Sequence, residues 1–206
     1  MNISANGPGF QAVLTWHSTE ASPSGPPDLQ IFAQGPFINE GAAIGSLCAA
    51  LLKPHSRGRV TLRSLDPAAP PIIDLALLTD GRDLRRLMEG VRHAHRLRLA
   101  SDFDGVADKH YRRGNAPSDG DLKDDIYANV RTYHHPIGTC AMGPDPTRAV
   151  VDCSGRVHGT EGLIVADASI MPEIPSANTN LPTVMLAERI VAALAGQANP
   201  GRTSTL

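Results

Sequence analysis

Three stretches in the C-terminal part of the chain carry the residue types on which chemistry could depend. They read YHHPIGTCAMG at residues 133–143, VADASIMP at residues 165–172 and PSANTNLPT at residues 175–183. The first contains the adjacent pair His134 and His135, the second contains Asp167, and the third contains Asn180. Imidazole exchanges protons near neutral pH more readily than any other side chain, but a histidine pair alone does not separate a catalytic role from a structural one.

The elements around these stretches predict how they are positioned. Residues 162–167 are an apolar run that ends in an acid, which predicts a buried strand. A helix is predicted from Pro182 to about Leu194, because proline is favoured in the first helical turn and apolar residues recur behind it. The segment 132–159 has no clear period and many Gly and Pro residues, and long irregular segments of this kind are usually functional or disordered.

The first part of the chain predicts a mainly antiparallel sheet with helices beside it. Two pairs of strands are expected, 11–16 with 28–33 and then 46–52 with 58–63, and the prolines of residues 67–71 are expected to end the sheet. Helical periodicity predicts one helix that begins after its N-cap Asp80. It predicts a second helix at residues 119–130, with Ser118 as its N-cap. The fold class predicted is α+β, with a partial strand and helix of a second region at the C-terminus.

Composition narrows the function classes. The formal net charge is −2 and no basic stripe is present, so nucleic acid is not an expected partner. No apolar run approaches the roughly 20 residues of a membrane span, and the first residues lack the pattern of a signal peptide, so a cytoplasmic location is expected. The three cysteines are far apart and fit neither a disulfide framework nor a metal motif, and no metal site is expected.

The three strings, in this order and spacing, resemble the C-terminal signature of the glucose-methanol-choline oxidoreductases. The resemblance extends upstream through LKPHSRGRVTL at residues 52–62 and covers roughly residues 10–196. It implies that His135 is the catalytic base and that Asn180 is its partner at the substrate oxygen. A shift of one residue would make His134 the base instead, although the spacing to the Gly-Thr turn favours His135.

The same resemblance implies FAD as cofactor and a small alcohol as substrate. It places Asp167 and Ala168 against the ribityl-pyrophosphate of FAD, and Leu181, Pro182 and Thr183 at the edge of the flavin ring. An alternative role for Asp167 is a helix or turn cap. Proline has no N–H, so hydrogen bonds to the ring edge would have to come from the neighbours of Pro182.

One part of the family pattern is missing from this sequence. No Gly-x-Gly-x-x-Gly loop lies between a predicted strand and a helix, and such a loop is what grips the pyrophosphate. We therefore expect a substrate-domain portion at residues 1–131, a catalytic and partial FAD-domain segment at 132–196 and a flexible tail at 197–206. The chain alone is expected to hold little FAD and to be inactive.

Several interpretations follow from that absence. The chain could be a piece of an FAD-dependent alcohol dehydrogenase or oxidase, which is the interpretation favoured by the residues. It could be one subunit of a split enzyme whose FAD-binding half is a separate chain. It could also be a non-enzymatic remnant or binding module. A hydrolase or metalloenzyme is the least favoured, because neither a Gly-x-Ser-x-Gly nor a His-Glu-x-x-His motif is present.

Overall fold

The computed structural model describes residues 12–39, 42–100 and 117–196. The chain forms two compact units. Unit 1 comprises Met1–Gly58 with Leu75–Arg131, and unit 2 comprises Arg59–Asp74 with Thr132–Leu206. The predicted tail at 197–206 and the first residue of the predicted strand 11–16 lie outside the described residues.

The sheet of unit 1 has three antiparallel strands in the order of the chain. They are β1 (Val13–Trp16), β2 (Leu29–Asn39) and β3 (Ala42–Leu51). Leu29 of β2 pairs with Trp16 on one side and with Leu51 on the other, and it is fully buried. The register shifts between Gln34 and Phe37, where a β-bulge interrupts the long β2–β3 ladder. Strands β2 and β3 both extend beyond the predicted ranges.

Two helices of unit 1 begin at the predicted caps. Helix α1 spans Gly81–Arg98 and its N-cap Asp80 accepts a hydrogen bond from the N–H of Arg82. Helix α2 spans Asp119–Asn129 and is capped by Ser118. The apolar faces of the two helices meet in a core made of Leu84, Leu87, Leu122 and Ile126.

Helix α1 also lies close against the sheet of unit 1. A Cβ atom added at Gly90 would come within 3.3 Å of Ala49 Cβ and 3.4 Å of Leu29 Cδ2. A larger side chain at Gly90 would therefore push the helix off the strands.

Unit 2 contains a hairpin that the sequence did not predict. Strand β4 (Arg59–Thr61) pairs antiparallel with strand β5 (Ile72–Asp74). The prediction that the sheet ends at residues 67–71 was wrong, and so was the pairing of 46–52 with 58–63, because β3 pairs with β2 instead. The prolines lie in the connection and β5 begins directly after Pro71, where a missing N–H costs no ladder hydrogen bond.

The rest of unit 2 is irregular backbone around one long helix. A 3₁₀ turn spans Ala168–Ile170 and helix α3 spans Asn180–Leu194. Both contribute to a second core together with the bridge residue Val151; its buried residues are Val151, Ile170 and Ile190. Helix α3 begins two residues before the predicted Pro182, so that proline is its third residue.

The predicted strand at residues 162–167 was wrong as a regular strand. Within the described part of the chain it forms only an isolated antiparallel bridge, between Arg156 and Ile164. Its backbone is held by two hydrogen bonds, from Val157 N to Leu163 O and from Val165 N to Gly155 O. An apolar run of this kind forms a ladder only when neighbouring strands flank it, and the described residues supply none.

The α+β class is confirmed, since antiparallel sheets and helices make up the described fold. None of the helices in the described ranges combines the length and the apolar character that a membrane span needs.

Candidate active site

His135 is the half-buried member of the histidine pair. Its ring lies edge-on to the ring of Tyr133, with 5.0 Å between centroids and an interplanar angle of 71°. His134 is exposed and has φ +61°, a left-handed conformation that few residues other than glycine adopt. The N–H of His134 donates to Thr132 Oγ1 at 3.1 Å, which holds this strained turn. Strained backbone of this kind is often found beside functional side chains.

The His135 ring is fixed by the residue that precedes Asn180. Its Nδ1 lies 3.1 Å from Oγ1 of Thr179, across 44 residues of sequence. Thr179 is the N-cap position of α3, and Asn180 is the first residue of that helix. His135 thus contacts the residue that directly precedes its predicted partner in the sequence, and among the described residues no hydrogen bond joins His135 to Asn180 itself.

The loop after His135 is tied to the turn that holds Asp167. The N–H of Cys140 donates to Ser169 O at 3.0 Å, and the N–H of Met142 donates to Ile170 O at 2.8 Å. Gly138 has φ +88°, which a residue with a side chain rarely adopts, and a Cβ there would touch Met171 O at 3.4 Å. The Gly-Thr-Cys turn therefore joins two of the three sequence strings into one structure.

Asp167 caps the 3₁₀ turn, as the alternative for this residue predicted. Its Oδ1 accepts hydrogen bonds from the N–H of Ser169 at 2.8 Å and from Ser169 Oγ at 2.5 Å. Both bonds end on the same oxygen, and among the described residues Oδ2 accepts none. The side chain is exposed, so capping leaves one carboxylate oxygen for a ligand. Ala168 begins the 3₁₀ turn, directly after the cap.

The start of α3 offers fewer hydrogen-bond donors than the sequence predicted. Both donors of Thr183 are used, because its N–H and its hydroxyl contact Thr179 O at 2.9 and 2.6 Å. Pro182 has no N–H. The N–H groups of Asn180 and Leu181 belong to the first turn, where the helix itself provides no acceptor. The positive end of the helix dipole is therefore presented by these two residues.

Thr179 is the residue that the sequence analysis missed. The string PSANTNLPT contains it, and a threonine directly before a helix is a common N-cap. Placing the helix start at Pro182 hid this signal, because Thr179 then lay in the preceding loop. Within the described ranges, no group of three or more His, Cys, Asp and Glu side chains is arranged to hold a metal ion.

Comparison with known proteins agrees with this arrangement. The sequence model of the GMC oxidoreductase C-terminal domain matches residues 54–187, which includes both the histidine string and the start of α3. The chain belongs to the GMC oxidoreductase family. It is 39% identical over 199 residues to 5-(hydroxymethyl)furfural oxidase of Methylovorus sp. (strain MP688), a match that covers 88% of this chain and 36% of the relative.

Two further GMC relatives support the same assignment. Over 142 residues the chain is 40% identical to alcohol dehydrogenase [acceptor] of Pseudomonas putida, covering 66% of this chain and 25% of that protein. Its fold is similar to the crystal structure of pyridoxine 4-oxidase from Mesorbium loti, with a TM-score of 0.78 and 26% identity over 93% of this chain and 39% of that one. The chain thus spans a quarter to two fifths of the length of these relatives.

FAD is the cofactor that membership of this family implies. The residues of unit 2 fit one part of such a cofactor. The N–H groups at the start of α3 would hold the anionic edge of a reduced flavin ring, and the free oxygen of Asp167 would accept from a ribityl hydroxyl. These contacts involve the flavin ring and the ribityl chain of FAD. The pyrophosphate would need the helix N-terminus that binds it in dinucleotide folds.

Proposed function

We propose that this chain is the C-terminal portion of an FAD-dependent oxidoreductase that oxidises the CH–OH group of a small alcohol, with His135 as the base. The contact that supports this most directly is the one between His135 Nδ1 and Thr179 Oγ1 at 3.1 Å. It leaves Nε2 of His135 without a hydrogen bond among the described residues, and Thr179 directly precedes Asn180, the residue proposed to share the substrate oxygen with His135. When bound, FAD would supply the acceptor for the hydride.

The proton of the alcohol decides what the base must do. A simple alcohol has a pKa near that of water, about 15.7, whereas imidazole titrates near 6.5. Complete deprotonation before hydride loss would cost roughly 12 kcal/mol at 1.36 kcal/mol per pKa unit. His135 must therefore accept the proton as the C–H bond breaks, and the developing alkoxide needs a donor already in place.

Asn180 is suited to be that donor. Its carboxamide offers two N–H groups, and its side chain is exposed at the first position of α3. A hydrogen bond from the amide to the alcohol oxygen would grow stronger as negative charge develops there, which is the requirement for transition-state stabilisation. His135 would accept the proton from the same oxygen.

The apolar surface of α3 favours a further polypeptide as partner. Ile190 is buried on one side of the helix, but Leu181, Val184, Met185 and Val191 are 52–78% exposed on the other. A helix that is apolar on both sides is ordinarily enclosed by protein. We propose that the FAD-binding half, on the same or on a separate chain, covers this surface.

Restoring that half provides the first test. The chain would be expressed alone and together with the polypeptide encoded directly upstream, and the flavin absorbance of each purified sample would be recorded with and without primary alcohols. We expect stable flavin and its bleaching by an alcohol only in the combined sample. A combined sample that binds FAD but is not reduced by any alcohol would favour the non-enzymatic remnant.

Replacing His135 by Ala in that complete enzyme tests the base. We expect flavin reduction to slow by about a hundred- to ten-thousand-fold, the range that a general base contributes. Stopped-flow absorbance of the flavin measures the rate directly. The matched control is His134→Ala, which removes the exposed neighbour and should change the rate little. The reverse result, with His134→Ala slow and His135→Ala normal, would move the base by one residue.

A further inference from the structure

Thr179 occupies an N-cap position without acting as a cap. Its backbone has φ −79° and ψ −8°, which is helical, and its side chain makes no capping hydrogen bond. Asp80 and Ser118, the caps of α1 and α2, have extended backbones and accept N–H groups with their side chains. The hydroxyl of Thr179 lies against His135 instead. Helix α3 therefore lacks a stabilising contact that the other two helices have.

The position of Thr179 is closely fixed. Its carbonyl accepts both the N–H and the hydroxyl of Thr183, and the residue is only 8% exposed. Its branched side chain has few rotamers. The hydroxyl oxygen is therefore held at one place relative to the His135 ring, which is what a residue that orients another side chain requires.

The contact bears on which ring nitrogen of His135 carries the proton. A neutral imidazole has one N–H, and the other nitrogen is the acceptor. For Nε2 to take a proton, the hydrogen must lie on Nδ1, where it can be donated to Thr179 Oγ1. After proton transfer both nitrogens carry hydrogen, and the same bond persists because the hydroxyl oxygen still accepts. The contact is thus compatible with His135 before and after it acts as a base.

We propose that Thr179 is a positioning residue: it holds His135 in the Nδ1–H tautomer and leaves Nε2 as the proton acceptor. This inference rests on the proposed function of His135. It goes beyond that proposal because it assigns a role to a residue outside the predicted site and names the tautomer on which the chemistry depends.

Ring ¹⁵N–¹H correlation spectra of the labelled chain test the tautomer without any cofactor. His135→Ala identifies the His135 signals by their loss. We expect the wild type to show the Nδ1–H form, and Thr179→Val to lower the ratio of Nδ1–H to Nε2–H by about fivefold, the factor that one neutral hydrogen bond provides. Thr179→Ser retains the hydroxyl and should restore the wild-type ratio. Thr179→Ala repeats the loss with a side chain too small to clash.

The matched control is Thr160→Val, because Thr160 is exposed and its hydroxyl donates to Val157 O, far along the chain from His135. That variant should leave the His135 signals unchanged. In the complete enzyme, Thr179→Val should slow flavin reduction by about tenfold with little change in KM, and Thr179→Ser should recover most of the rate.

Two outcomes separate this inference from the proposed function. If Thr179→Val and Thr179→Ala leave the tautomer ratio as it is in the wild type, the positioning role is overturned, whatever the enzyme does. If His135→Ala reduces flavin normally, the proposed function is overturned, while the ring spectra still decide whether Thr179 sets the tautomer.

Discussion

The two units contain polar clusters of opposite character. In unit 1, Arg86 bonds to Asp28 Oδ2 at 3.0 Å and to Asp83 Oδ1 at 2.6 Å, and the side chains of all three are at most 4% exposed. In unit 2, the half-buried ring of His135 shares one hydrogen bond with the hydroxyl of the buried Thr179. The charges of the first cluster are paired with one another, whereas in the second Nε2 of His135 has no hydrogen-bond partner among the described residues.

Nearly every polar group in the buried cluster of unit 1 has a hydrogen-bond partner. Asp83 also accepts from the N–H groups of His55 and Ser56, Asp28 also accepts from the N–H and hydroxyl of Ser18, and Arg86 donates to Lys53 O. Burial raises the pKa of Asp28 and Asp83, but these hydrogen bonds outweigh it, so both pKa values lie below the ordinary range. Charges held in this way fix the β1–β2 loop, the loop after β3 and helix α1 together; they are not available for chemistry.

Replacing Arg86 by Met should produce the largest loss of stability. Both carboxylates would remain buried without their cation, and breaking a buried ion pair from one side costs about 3–5 kcal/mol. The single tryptophan of the chain, Trp16, lies in β1 of unit 1, so its fluorescence during urea unfolding reports on this unit. Arg85→Met is the matched control, because Arg85 pairs with Glu20 at the exposed surface and should shift the midpoint little.

Acid provides a second check on the same cluster. The pKa values of Asp28 and Asp83 are lowered in the folded state, so their contribution to stability is complete above the unfolded value near 4 and is lost as the pH falls through the folded values. The gap in stability between wild type and Arg86→Met should therefore narrow at low pH. A gap of constant size would contradict the ion-pair explanation.

The same contrast explains what the sequence could predict. The caps Asp80 and Ser118 were predicted correctly, because a cap depends on residues two or three positions away. Arg86 pairs with Asp28 across 58 positions, and the sequence analysis made no prediction for this residue. No local pattern distinguishes an arginine that faces a buried carboxylate from one that faces water.

The candidate site shows the same division. Its three strings were found because each is compact in sequence, and the structure brings His135 to the residue beside Asn180. The contact through Thr179 depends on where α3 begins, and a shift of two residues in that boundary concealed it. The 162–167 segment was assigned as a strand from its apolar run alone, although a ladder also depends on neighbours that the run does not specify.

Gly155→Ala tests how tightly unit 2, which contains His135 and Thr179, is packed against helix α3. Gly155 has φ +79°, and an added Cβ would lie 2.5 Å from Val165 O and 3.0 Å from Ile190 Cδ1, inside the core of unit 2. We expect a loss of at least about 2 kcal/mol, since the left-handed conformation alone costs about 1–2. Hydrogen exchange of the Val165 amide, which bonds to Gly155 O, measures the loss.

Gly159→Ala separates strain from crowding in that measurement. Gly159 has a similar φ of +71°, but nothing lies within 4 Å of an added Cβ. It should show only the conformational part of the cost, about 1–2 kcal/mol. Equal losses for the two glycines would mean that the contact with Val165 and Ile190 relaxes freely and that crowding in the core adds no cost.

Ser118→Ala should have the smallest effect, and it sharpens the contrast between a cap and a positioning residue. The Ser118 hydroxyl accepts from the N–H of Asp121 at 3.2 Å. Its loss should lower the free energy of unfolding of unit 1 by about 1 kcal/mol, measured by Trp16 fluorescence during urea unfolding. Thr179→Ala removes a hydroxyl from the same helical position but no capping bond. Hydrogen exchange of the Thr183 amide should therefore change little in that variant, while the His135 ring signals shift. If the Thr183 amide instead loses protection from exchange, as a helix does when its capping bond is removed, the Thr179 hydroxyl stabilises α3 in solution and its contact with His135 is secondary.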